Sequence, residues 1–355
     1  MRIAVLSDIH SNYYALERVL VHAQQSDVER YWLLGDLVGY GPHSVECMQW
    51  FKDNYSRIDW VMGNHDAMLL AWTLRGQNKQ GAKGDGLMRK ANALAFKELA
   101  EVEGISERKE QTTRINDAIP ALLLNKKAFD RNLEIDRFWQ STFRRGHYGP
   151  KQYLADNVEY WIVHASRRDG RQIGEYIYPW SSHLLKLELQ ALLSTYQKEL
   201  GNSNTFAVYI NRLLRVFLPV HQKKPICQWH GHSHIPYILT LDEPMVNGNW
   251  RPICAEPEHP YQLGKVITLA CSGSVGQPRN GDTRASYTVL DTTKREITFY
   301  RIAYDYKKTA RDMNRLGYSH KLIERLETAK YPSDLPPTLE WAECMKSLAK
   351  VGKKQ

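Results

Sequence analysis

Residues 2–20 read RIAVLSDIHSNYYALERVL. The first part, RIAVLS, is a short apolar run with β-branched residues, which is typical of a buried strand. From Tyr13 onward, apolar residues recur at helical spacing, and the pattern predicts a helix over 13–23. Asp8 and His10 lie between the two elements. The stretch therefore predicts a strand, a turn with two ligand-type side chains, and a helix.

The same arrangement recurs three times further along the chain. Apolar runs at 31–34 (YWLL), 58–62 (IDWVM) and 160–163 (YWIV) lead to Gly35-Asp36, Gly63-Asn64 and His164, respectively. Open α/β sheets bind ligands in the crevice outside the carboxyl ends of their strands, so we expect these polar groups to converge. The recurrence predicts an α/β fold with one polar crevice.

Five short polar segments carry oxygen and nitrogen donors suited to two divalent metal ions. They are Asp8-Ile9-His10, Gly35-Asp36, Gly63-Asn64-His65-Asp66, His164 and Gly231-His232-Ser233-His234. Residues two apart on an extended segment point the same way, so each Asp-x-His or His-x-His pair is expected to face one ion. A two-metal hydrolytic site needs ions about 3.5 to 4 Å apart and a group that bridges them. Asp36 is predicted to bridge, because each carboxylate oxygen can bind one ion.

The order of these segments resembles the calcineurin-like metallophosphoesterase superfamily, whose motif blocks read DxH, GD, GNH[DE], H and GHxH. The likeness is closer to a branch of small bacterial and archaeal metallophosphoesterases. It is carried by 7–20 (SDIHSNYYALERVL), 35–48 (GDLVGYGPHSVECM) and 273–287 (GSVGQPRNGDTRASY), and it covers about half of the chain. The resemblance implies an α/β fold of the four-layer αββα type, with two mixed sheets flanked by helices. The residues after His164 and before Gly273 depart from the branch, which leaves the substrate open.

The resemblance also implies a role for each donor. The first metal would be bound by Asp8, His10, Asp36 and His234, and the second by Asp36, Asn64, His164 and His232. A hydroxide bridging the ions would be the nucleophile, since bound divalent cations lower the pKa of water toward about 7. Manganese is the expected metal, and iron, zinc or nickel would also suit oxygen and imidazole ligands without a thiolate.

Two further residues of the GNH[DE] block are expected to be catalytic. In the superfamily the histidine at the position of His65 is not a ligand but lies near the leaving oxygen. Asp66 is expected to orient the His65 imidazole, or to cap the helix that follows. Among arginines that border the ligand segments, Arg167 and Arg279 are the candidates for binding the substrate phosphate, because an arginine fork pairs bidentately with phosphate. Ordinary salt bridges remain the alternative for these arginines and for Arg284.

The sequence therefore predicts a dinuclear phosphodiesterase that acts on a nucleotide or a nucleic-acid-derived ester. One alternative is a phosphomonoesterase for a nucleotide or small metabolite. Another is a nuclease or end-processing enzyme that uses basic accessory segments. A noncatalytic scaffold is disfavoured, because every implied ligand is present together with His65.

Positive charge is concentrated outside the segments that carry the donors. The chain has 355 residues and a formal net charge of +9. We count 15 Lys+Arg against 10 Asp+Glu in 77–154, 6 against 2 in 179–224 and 11 against 6 in 306–355. This excess is suited to nucleic acid or another polyanion. Solvated lysine-rich helices are the alternative.

The accessory segments divide the chain into a phosphoesterase domain, 1–305, with helical insertions at 77–154 and 179–224, and a helical basic C-terminal extension, 306–355. Helices are expected at 87–100, 117–143, 182–200, 206–218, 306–329 and 339–349. The pair at 182–218 would pack on the core or form a dimer contact, and the oligomeric state stays open. Strands in 265–302 are expected to form an antiparallel sheet that closes the domain.

The cytoplasm is the expected compartment. The first residues lack the apolar stretch of a signal peptide, and no run approaches the roughly 18 apolar residues of a membrane span. The five cysteines, at 47, 227, 254, 271 and 344, are widely separated, so no disulfide framework is indicated. We expect no membrane partner.

Overall fold

The computed structural model of the chain describes residues 1–67, 150–166, 176–198, 224–243, 250–330 and 336–351. The helices expected at 87–100, 117–143 and 206–218 lie outside the described residues, and so does Arg167. The domain boundaries given above stay predictions.

The described residues form twelve strands and six α-helices. The strands are β1 (Arg2–Leu6), β2 (Arg30–Leu33), β3 (Ile58–Trp60), β4 (Lys151–Ala155), β5 (Val158–Ile162), β6 (Ile226–His230), β7 (Tyr237–Leu241), β8 (Ile253–Cys254), β9 (Pro260–Gln262), β10 (Ile267–Cys271), β11 (Ala285–Asp291) and β12 (Glu296–Ile302). The helices are α1 (Tyr13–Gln25), α2 (Ser44–Asp53), α3 (Ser182–Lys198), α4 (Tyr306–Arg315), α5 (His320–Thr328) and α6 (Leu339–Val351).

The strands form two mixed sheets of six strands each. The first sheet has the order β3-β2-β1-β11-β12-β9, and the second has the order β4-β5-β6-β10-β7-β8. Strands β1, β2 and β3 are parallel, and so are β5, β6 and β10. In each sheet the carboxyl ends of three neighbouring strands therefore lie at one edge.

Side-chain alternation along β1 places the first sheet between two hydrophobic layers. Ala4 and Leu6 pack with the buried faces of α1 and α2, whereas Ile3 and Val5 pack with the second sheet against residues such as Trp229. This is the period-two pattern of a strand that is buried on both faces. One core thus lies between the sheets, and another lies between the first sheet and its helices.

The outer face of the second sheet is covered by α3 and α6. Leu189 of α3 and Trp341 of α6 are buried in one cluster with Leu269 of β10. Full burial of a leucine side chain contributes roughly 1.5 to 3 kcal/mol, so α3 is part of the core rather than a free surface for a dimer contact. The layers run helix, sheet, sheet, helix, and the predicted four-layer αββα sandwich is confirmed.

The expected antiparallel sheet over 265–302 is wrong in one respect. β11 and β12 pair antiparallel in the first sheet, but β10 belongs to the second sheet, where it lies between β6 and β7. The chain crosses from one sheet to the other through 272–284. Hydrophobicity identifies each strand, but it does not tell which of two buried sheets a strand joins.

Strand β4 begins inside the expected helical insertion 77–154 and ends one residue beyond it. Lys151–Ala155 pairs antiparallel with β5 at the edge of the second sheet. Every residue of β4 is at least partly exposed. The segment therefore lacks the apolar run that predicted strands such as β1 and β5.

The C-terminal segment contains three helices in place of the two expected stretches. The chain turns between α4 and α5 at Gly317, which has a φ of +78°, a conformation that glycine adopts readily. A small core around Tyr40 contains Met313 of α4, Leu322 of α5 and Tyr318 from the turn between the two helices. No helix in the described ranges has both the length and the apolar character needed to cross a bilayer.

Candidate metal centre

The predicted ligands lie on loops at the carboxyl ends of β1, β2, β3, β5 and β6, as expected. Their convergence has a different local cause from the extended alternation that was predicted. Asp8 and His10 have φ values of 52° and 48°, Asp36 has 54°, and His232 and His234 have 62° and 58°. These are left-handed conformations, which aspartate and histidine tolerate better than most residues. Tight left-handed turns, rather than strand geometry, therefore turn the ligands toward the crevice.

Close backbone contacts between the loops fix the position of these turns. The Asp8 amide donates to the Gly35 carbonyl at 3.1 Å, and the His10 amide donates to the Asp36 carbonyl at 2.9 Å. A Cβ atom on Gly63 would lie 2.0 Å from Oδ1 of Asp36. The glycine of the third motif is therefore required by the close approach of the Asp36 carboxylate.

Asp8, His10 and His234 form what we call the first half-site. Oδ1 of Asp8 lies 3.2 Å from Nε2 of His234 and 3.8 Å from Nε2 of His10, and the two Nε2 atoms are 3.3 Å apart. All three side chains are at most 1% exposed. The three donor atoms can therefore share one ion out of contact with bulk solvent.

Asn64, His164 and His232 form the second half-site. Nε2 of His164 lies 2.9 Å from Oδ1 of Asn64 and 3.2 Å from Nδ1 of His232. His164 and His232 are buried, whereas Asn64 is partly exposed. An amide oxygen and two imidazole nitrogens therefore face one another on the more open side of the crevice.

Asp36 lies between the two half-sites. Its Oδ2 atom is 3.7 Å from Nε2 of His10 and 3.4 Å from Nε2 of His164. Its Oδ1 atom accepts the backbone N–H of His65 at 2.8 Å, which fixes the carboxylate plane. In each of two sets of residues, all the ligand atoms lie within 4.8 Å of one another. The first set is Asp8, His10 and His234, and the second is Asp36, His164 and His232. The residues present fit a pair of divalent ions with a shared carboxylate.

Backbone carbonyls orient three of the four histidines. Nδ1 lies 2.7 Å from the Leu34 oxygen in His164, 2.6 Å from the Gln277 oxygen in His234 and 3.3 Å from the Val38 oxygen in His10. A ring that donates its Nδ1–H to a carbonyl presents an unprotonated Nε2, which is the form that binds metals. These contacts assign the tautomer that an ion would need.

Burial shifts the pKa values of the donors so that the neutral form is favoured, which helps metal binding at the histidines and opposes it at the Asp36 carboxyl. It lowers the pKa of His10 and of His232 well below the ordinary value, so both rings are neutral at pH 7. Burial, together with Asp66 and Asp8, raises the pKa of Asp36 well above its usual range. A divalent cation would remove that penalty by pairing with the carboxylate.

His65 lies beside the first half-site. Its ring centroid is 4.7 Å from that of His10 and 4.4 Å from that of Tyr40. One of its nitrogens lies within 4.8 Å of ligand atoms of His10 and Asp36. His65 thus lies next to candidate ligand atoms, and its catalytic role stays a prediction.

The carboxylate of Asp66 is bound to the backbone of two motif loops. Its carboxylate accepts backbone N–H groups of Asp36 at 2.8 Å, Gly63 at 3.0 Å and Val38 at 3.2 Å. Burial raises its pKa to about 7. Asp66 therefore ties the second and third motif loops together, and its expected role in orienting the His65 imidazole stays a prediction. Residues 64–67 are helical, so the bond to Gly63 is the reciprocal contact of a capping box, in which Asp66 is the third helical residue and not the N-cap.

Arg279 lies buried next to the centre, 8% exposed. Its Nη2 donates to Oε1 of Gln277 at 3.0 Å, and its guanidinium carbon lies 5.9 Å from the Tyr40 ring centroid. Its Nε is buried and has no hydrogen-bond partner among the described residues. Arg284, by contrast, binds Asp282 through two donors at 3.0 and 2.7 Å. Arg279 thus has a donor available for an anion, whereas Arg284 forms an ordinary ion pair.

Tyr40 both lines the crevice and packs against the C-terminal helices. Its ring centroid lies 4.7 Å from that of His10, and its body packs with Ala310 and Leu322 of the C-terminal helices. Tyr318 adds a hydrogen bond to the Gly41 carbonyl at 2.8 Å. The C-terminal segment therefore forms part of the wall of the site.

Two residues near the second half-site were missed. The ring of Tyr176 stacks on His232 with centroids 3.9 Å apart, and the buried carboxylate of Glu188 accepts bonds from Ser166 and Gln228 at 2.8 and 2.7 Å. A signal existed for both. The aromatic residues of 176–180 (YIYPW) alternate, and Glu188 is a charged residue on the leucine-rich face of α3.

Comparison with known proteins establishes the family. Residues 1–236 match the family model described as calcineurin-like phosphoesterase, which is about two thirds of the chain. The chain belongs to this family, and the predicted recognition is confirmed. It is a phosphoric ester hydrolase of a family that uses divalent metals, and its candidate ligand clusters lie where the motifs converge.

Individual relatives match the chain over different lengths. An uncharacterized protein of Methanocaldococcus jannaschii is 25% identical over 324 residues, which are 91% of this chain and 96% of that protein. The crystal structure of a metallophosphoesterase from Sphaerobacter thermophilus has a TM-score of 0.58 at 24% identity and covers 93% of this chain and 99% of that one. A symmetrical bis(5'-nucleosyl)-tetraphosphatase of Haemophilus ducreyi is 36% identical over 76 residues, 21% of this chain and 28% of that protein.

Proposed function

We propose that the chain is a dinuclear metal-dependent phosphodiesterase that acts on a nucleotide or a nucleic-acid-derived ester. The observation that carries the proposal is the position of Asp36. Its Oδ2 atom lies within 3.7 Å of a histidine nitrogen in each half-site. One carboxylate could therefore contribute to binding two ions, as a two-metal hydrolytic site requires.

Two bound divalent ions would neutralise charge on the phosphoryl group and lower the pKa of an attacking water. Manganese is our proposed metal, with iron, zinc or nickel as alternatives, since the donors are oxygen and imidazole nitrogen. The protein side chains supply position and charge. The buried donor of Arg279 would bind a nonbridging phosphoryl oxygen, and His65 would donate a hydrogen bond or proton to the leaving oxygen.

The substrate class is supported by the surroundings of the crevice. Tyr40 joins the centre to α4 and α5, and exposed basic residues on those helices are Lys307, Lys308, Arg311, Arg315 and Lys321. A substrate that continues beyond the scissile phosphate would meet this positive surface. The relative from Haemophilus ducreyi, by its name, acts on bis(5'-nucleosyl) tetraphosphates, which also favours a nucleotide.

A comparison of simple esters tests the proposal. Purified full-length chain with added Mn²⁺ should hydrolyse bis-p-nitrophenyl phosphate with a kcat/KM at least about tenfold above that for p-nitrophenyl phosphate, a difference of about 1.4 kcal/mol in the barrier. The opposite ranking would support the phosphomonoesterase alternative. Diadenosine tetraphosphate should be included, because preferential cleavage of this anhydride would replace the diester assignment.

Arg279 and Arg284 form a matched pair for testing substrate binding. Arg279→Lys should lower kcat/KM by about 10- to 100-fold, because lysine lacks the fork that pairs with phosphate. Arg284→Lys should stay close to the wild-type value, since Arg284 is bound to Asp282. Equal effects of the two substitutions would argue against a phosphate contact for Arg279.

A second candidate function is nucleic-acid processing, favoured by the basic residues on α4 and α5. RNA or DNA affinity should fall steeply as salt is raised if several phosphates are bound. Lys307→Glu with Arg311→Glu should weaken that binding while hydrolysis of the nitrophenyl esters is unchanged. A flat salt response would eliminate this function.

We also place the protein in the cytoplasm. The five cysteines are all free thiols, two of them partly exposed, as expected in a reducing compartment. Fractionation of cells with an antibody to the chain tests this location, and recovery outside the cytoplasmic fraction would contradict it.

A further inference from the structure

His232 differs from the other three candidate ligand histidines in how its ring is oriented. Its Nδ1 atom faces His164 in the second half-site at 3.2 Å. Its Nε2 atom is buried and has no hydrogen-bond partner among the described residues. Among the described residues, no carbonyl therefore orients the His232 ring in the way that carbonyls orient His10, His164 and His234.

The ring plane of Tyr176 occupies the face of the His232 imidazole. The two centroids are 3.9 Å apart and the planes are inclined by 23°, a close face-to-face stack. Such a contact restricts rotation of the imidazole about its last side-chain torsion, which has a broad, weakly defined preference when it is not restrained. Packing by Tyr176 can thus fix the orientation of the His232 ring, as a hydrogen bond to a carbonyl does for the other three histidines.

Tyr176 is itself held in a column of parallel rings. Tyr178 stacks behind it at 5.5 Å and 5°, Trp180 stacks behind Tyr178 at 5.1 Å and 3°, and Trp341 of α6 lies 6.0 Å further on. Tyr178 and Trp341 are buried in the core on the outer face of the second sheet. The ring against His232 is therefore supported by the packed interior and not by a surface loop alone.

We infer that Tyr176 is a positioning residue that fixes the His232 ring so that Nδ1 faces the second ion. The inference rests on the two-metal centre of the proposed function. The aromatic plane is the part of Tyr176 that acts. Loss of the aromatic ring should lower the affinity of the second half-site for its ion. The affinity of the first half-site should be unchanged, because His10 and His234 are oriented by carbonyls.

Metal titration of the full chain tests the inference without an activity assay. The chain is stripped with a chelator, and Mn²⁺ is added while heat and the electron paramagnetic resonance signal of free Mn²⁺ are recorded. Wild-type protein should bind two ions. Tyr176→Leu should bind the first normally and the second about 10-fold more weakly, the range seen when a group that orients a ligand is lost.

Tyr176→Phe supplies the rescue, since it keeps the plane and should bind both ions as wild type does. Tyr300→Leu is the matched control, because Tyr300 also packs on a histidine, His22, at 4.7 Å but lies away from the centre. Its two affinities should be unchanged. The thermal midpoints of the metal-free variants, measured in parallel, separate a local effect from general loosening of the fold.

The inference is overturned if Tyr176→Leu binds both ions as tightly as wild type, or if its affinities for the two ions fall equally. It is also overturned if Tyr176→Phe binds the second ion more weakly than wild type. A wild-type chain that binds a single ion would overturn it too. A wild-type chain that binds two ions but cleaves no phosphoester would contradict the proposed function instead, and the titration would still report on Tyr176.

Discussion

The two half-sites of the metal centre are built by different means. In the first, Asp8 accepts hydrogen bonds from Ser7 and from the His232 backbone, and carbonyls orient His10 and His234. In the second, His232 depends on stacking, and the loop of His164 is tied to α3. The first half-site is made by the motif loops themselves, whereas the second also depends on residues 176–198.

This difference separates what the family motifs specify from what the accessory segments add. Hydrogen bonds between adjacent loops depend on backbone positions that the short motifs set. Contacts through Tyr176 and Glu188 depend on a segment outside those motifs. We therefore expect the first half-site to bind its ion more tightly, and the second to be sensitive to changes in the accessory segments.

The largest effect is expected at the residue that both half-sites share. Asp36→Ala should lose both ions and lower activity by about 10³-fold or more, because two cations that each stabilise the transition state by several kcal/mol are lost together. Metal content after gel filtration measures this. Asp36→Asn keeps an oxygen for the His65 amide and should weaken both ions while the circular dichroism spectrum is unchanged. Retention of one ion at wild-type affinity in the Ala variant would argue against a shared carboxylate.

His65 tests whether the first half-site is complete without a third imidazole. His65→Ala should keep both ions and lower kcat by about 10² to 10⁴-fold, the usual contribution of a positioned acid or base. Metal analysis and turnover are measured on the same sample, with His22→Ala as a control away from the centre. Full activity would remove the catalytic role, and loss of one ion would make His65 a ligand.

Asn64 tests the predicted inequality of the half-sites. Asn64→Ala should weaken the second ion by about 10- to 100-fold, or about 1.4 to 2.7 kcal/mol, because one neutral oxygen donor is removed. The first ion should bind as before, and turnover should recover as Mn²⁺ is raised. If Asn64→Ala impaired the first ion as strongly as the second, the two half-sites would not be separable.

Glu188 gives the smallest effect and reports on the link to α3. Glu188→Ala removes the acceptor of the Ser166 and Gln228 hydrogen bonds in a fully buried position. It should lower the free energy of unfolding by about 1 to 3 kcal/mol and change turnover only a few-fold. Urea unfolding measures the first, and Glu327→Ala on the exposed side of α5 is the control. An unchanged midpoint would show that the link is not stabilising.

The sequence was sufficient where a pattern has one structural solution. The apolar run and polar turn at 2–10 predicted both a buried strand and the place of the ligands, and the loop positions of Asp36, Asn64 and His164 followed by the same rule. The layer order was predicted from the resemblance to the metallophosphoesterase superfamily and not from the strand pattern.

The remaining features depend on contacts between distant parts of the chain. Hydrophobicity could not assign β10 to the second sheet, because a strand buried on both faces has the same pattern in either sheet. The left-handed turns at Asp8 and His10 have no period, and the carboxylate of Asp66 meets amides of a loop some thirty residues away in sequence. Three-dimensional proximity decides such contacts, and no local pattern encodes it.

The left-handed loop residues have a consequence for how the centre is assembled. Asp8, His10 and Asp36 are placed by amide-to-carbonyl bonds within the protein, so the cost of ordering them, of the order of 1 to 3 kcal/mol each, is met during folding. The metal site is therefore preorganised, and cations should bind to and dissociate from a chain that is already folded. Removal of the metal with a chelator should abolish activity without unfolding the protein. Replacing one transition metal by another should need no refolding.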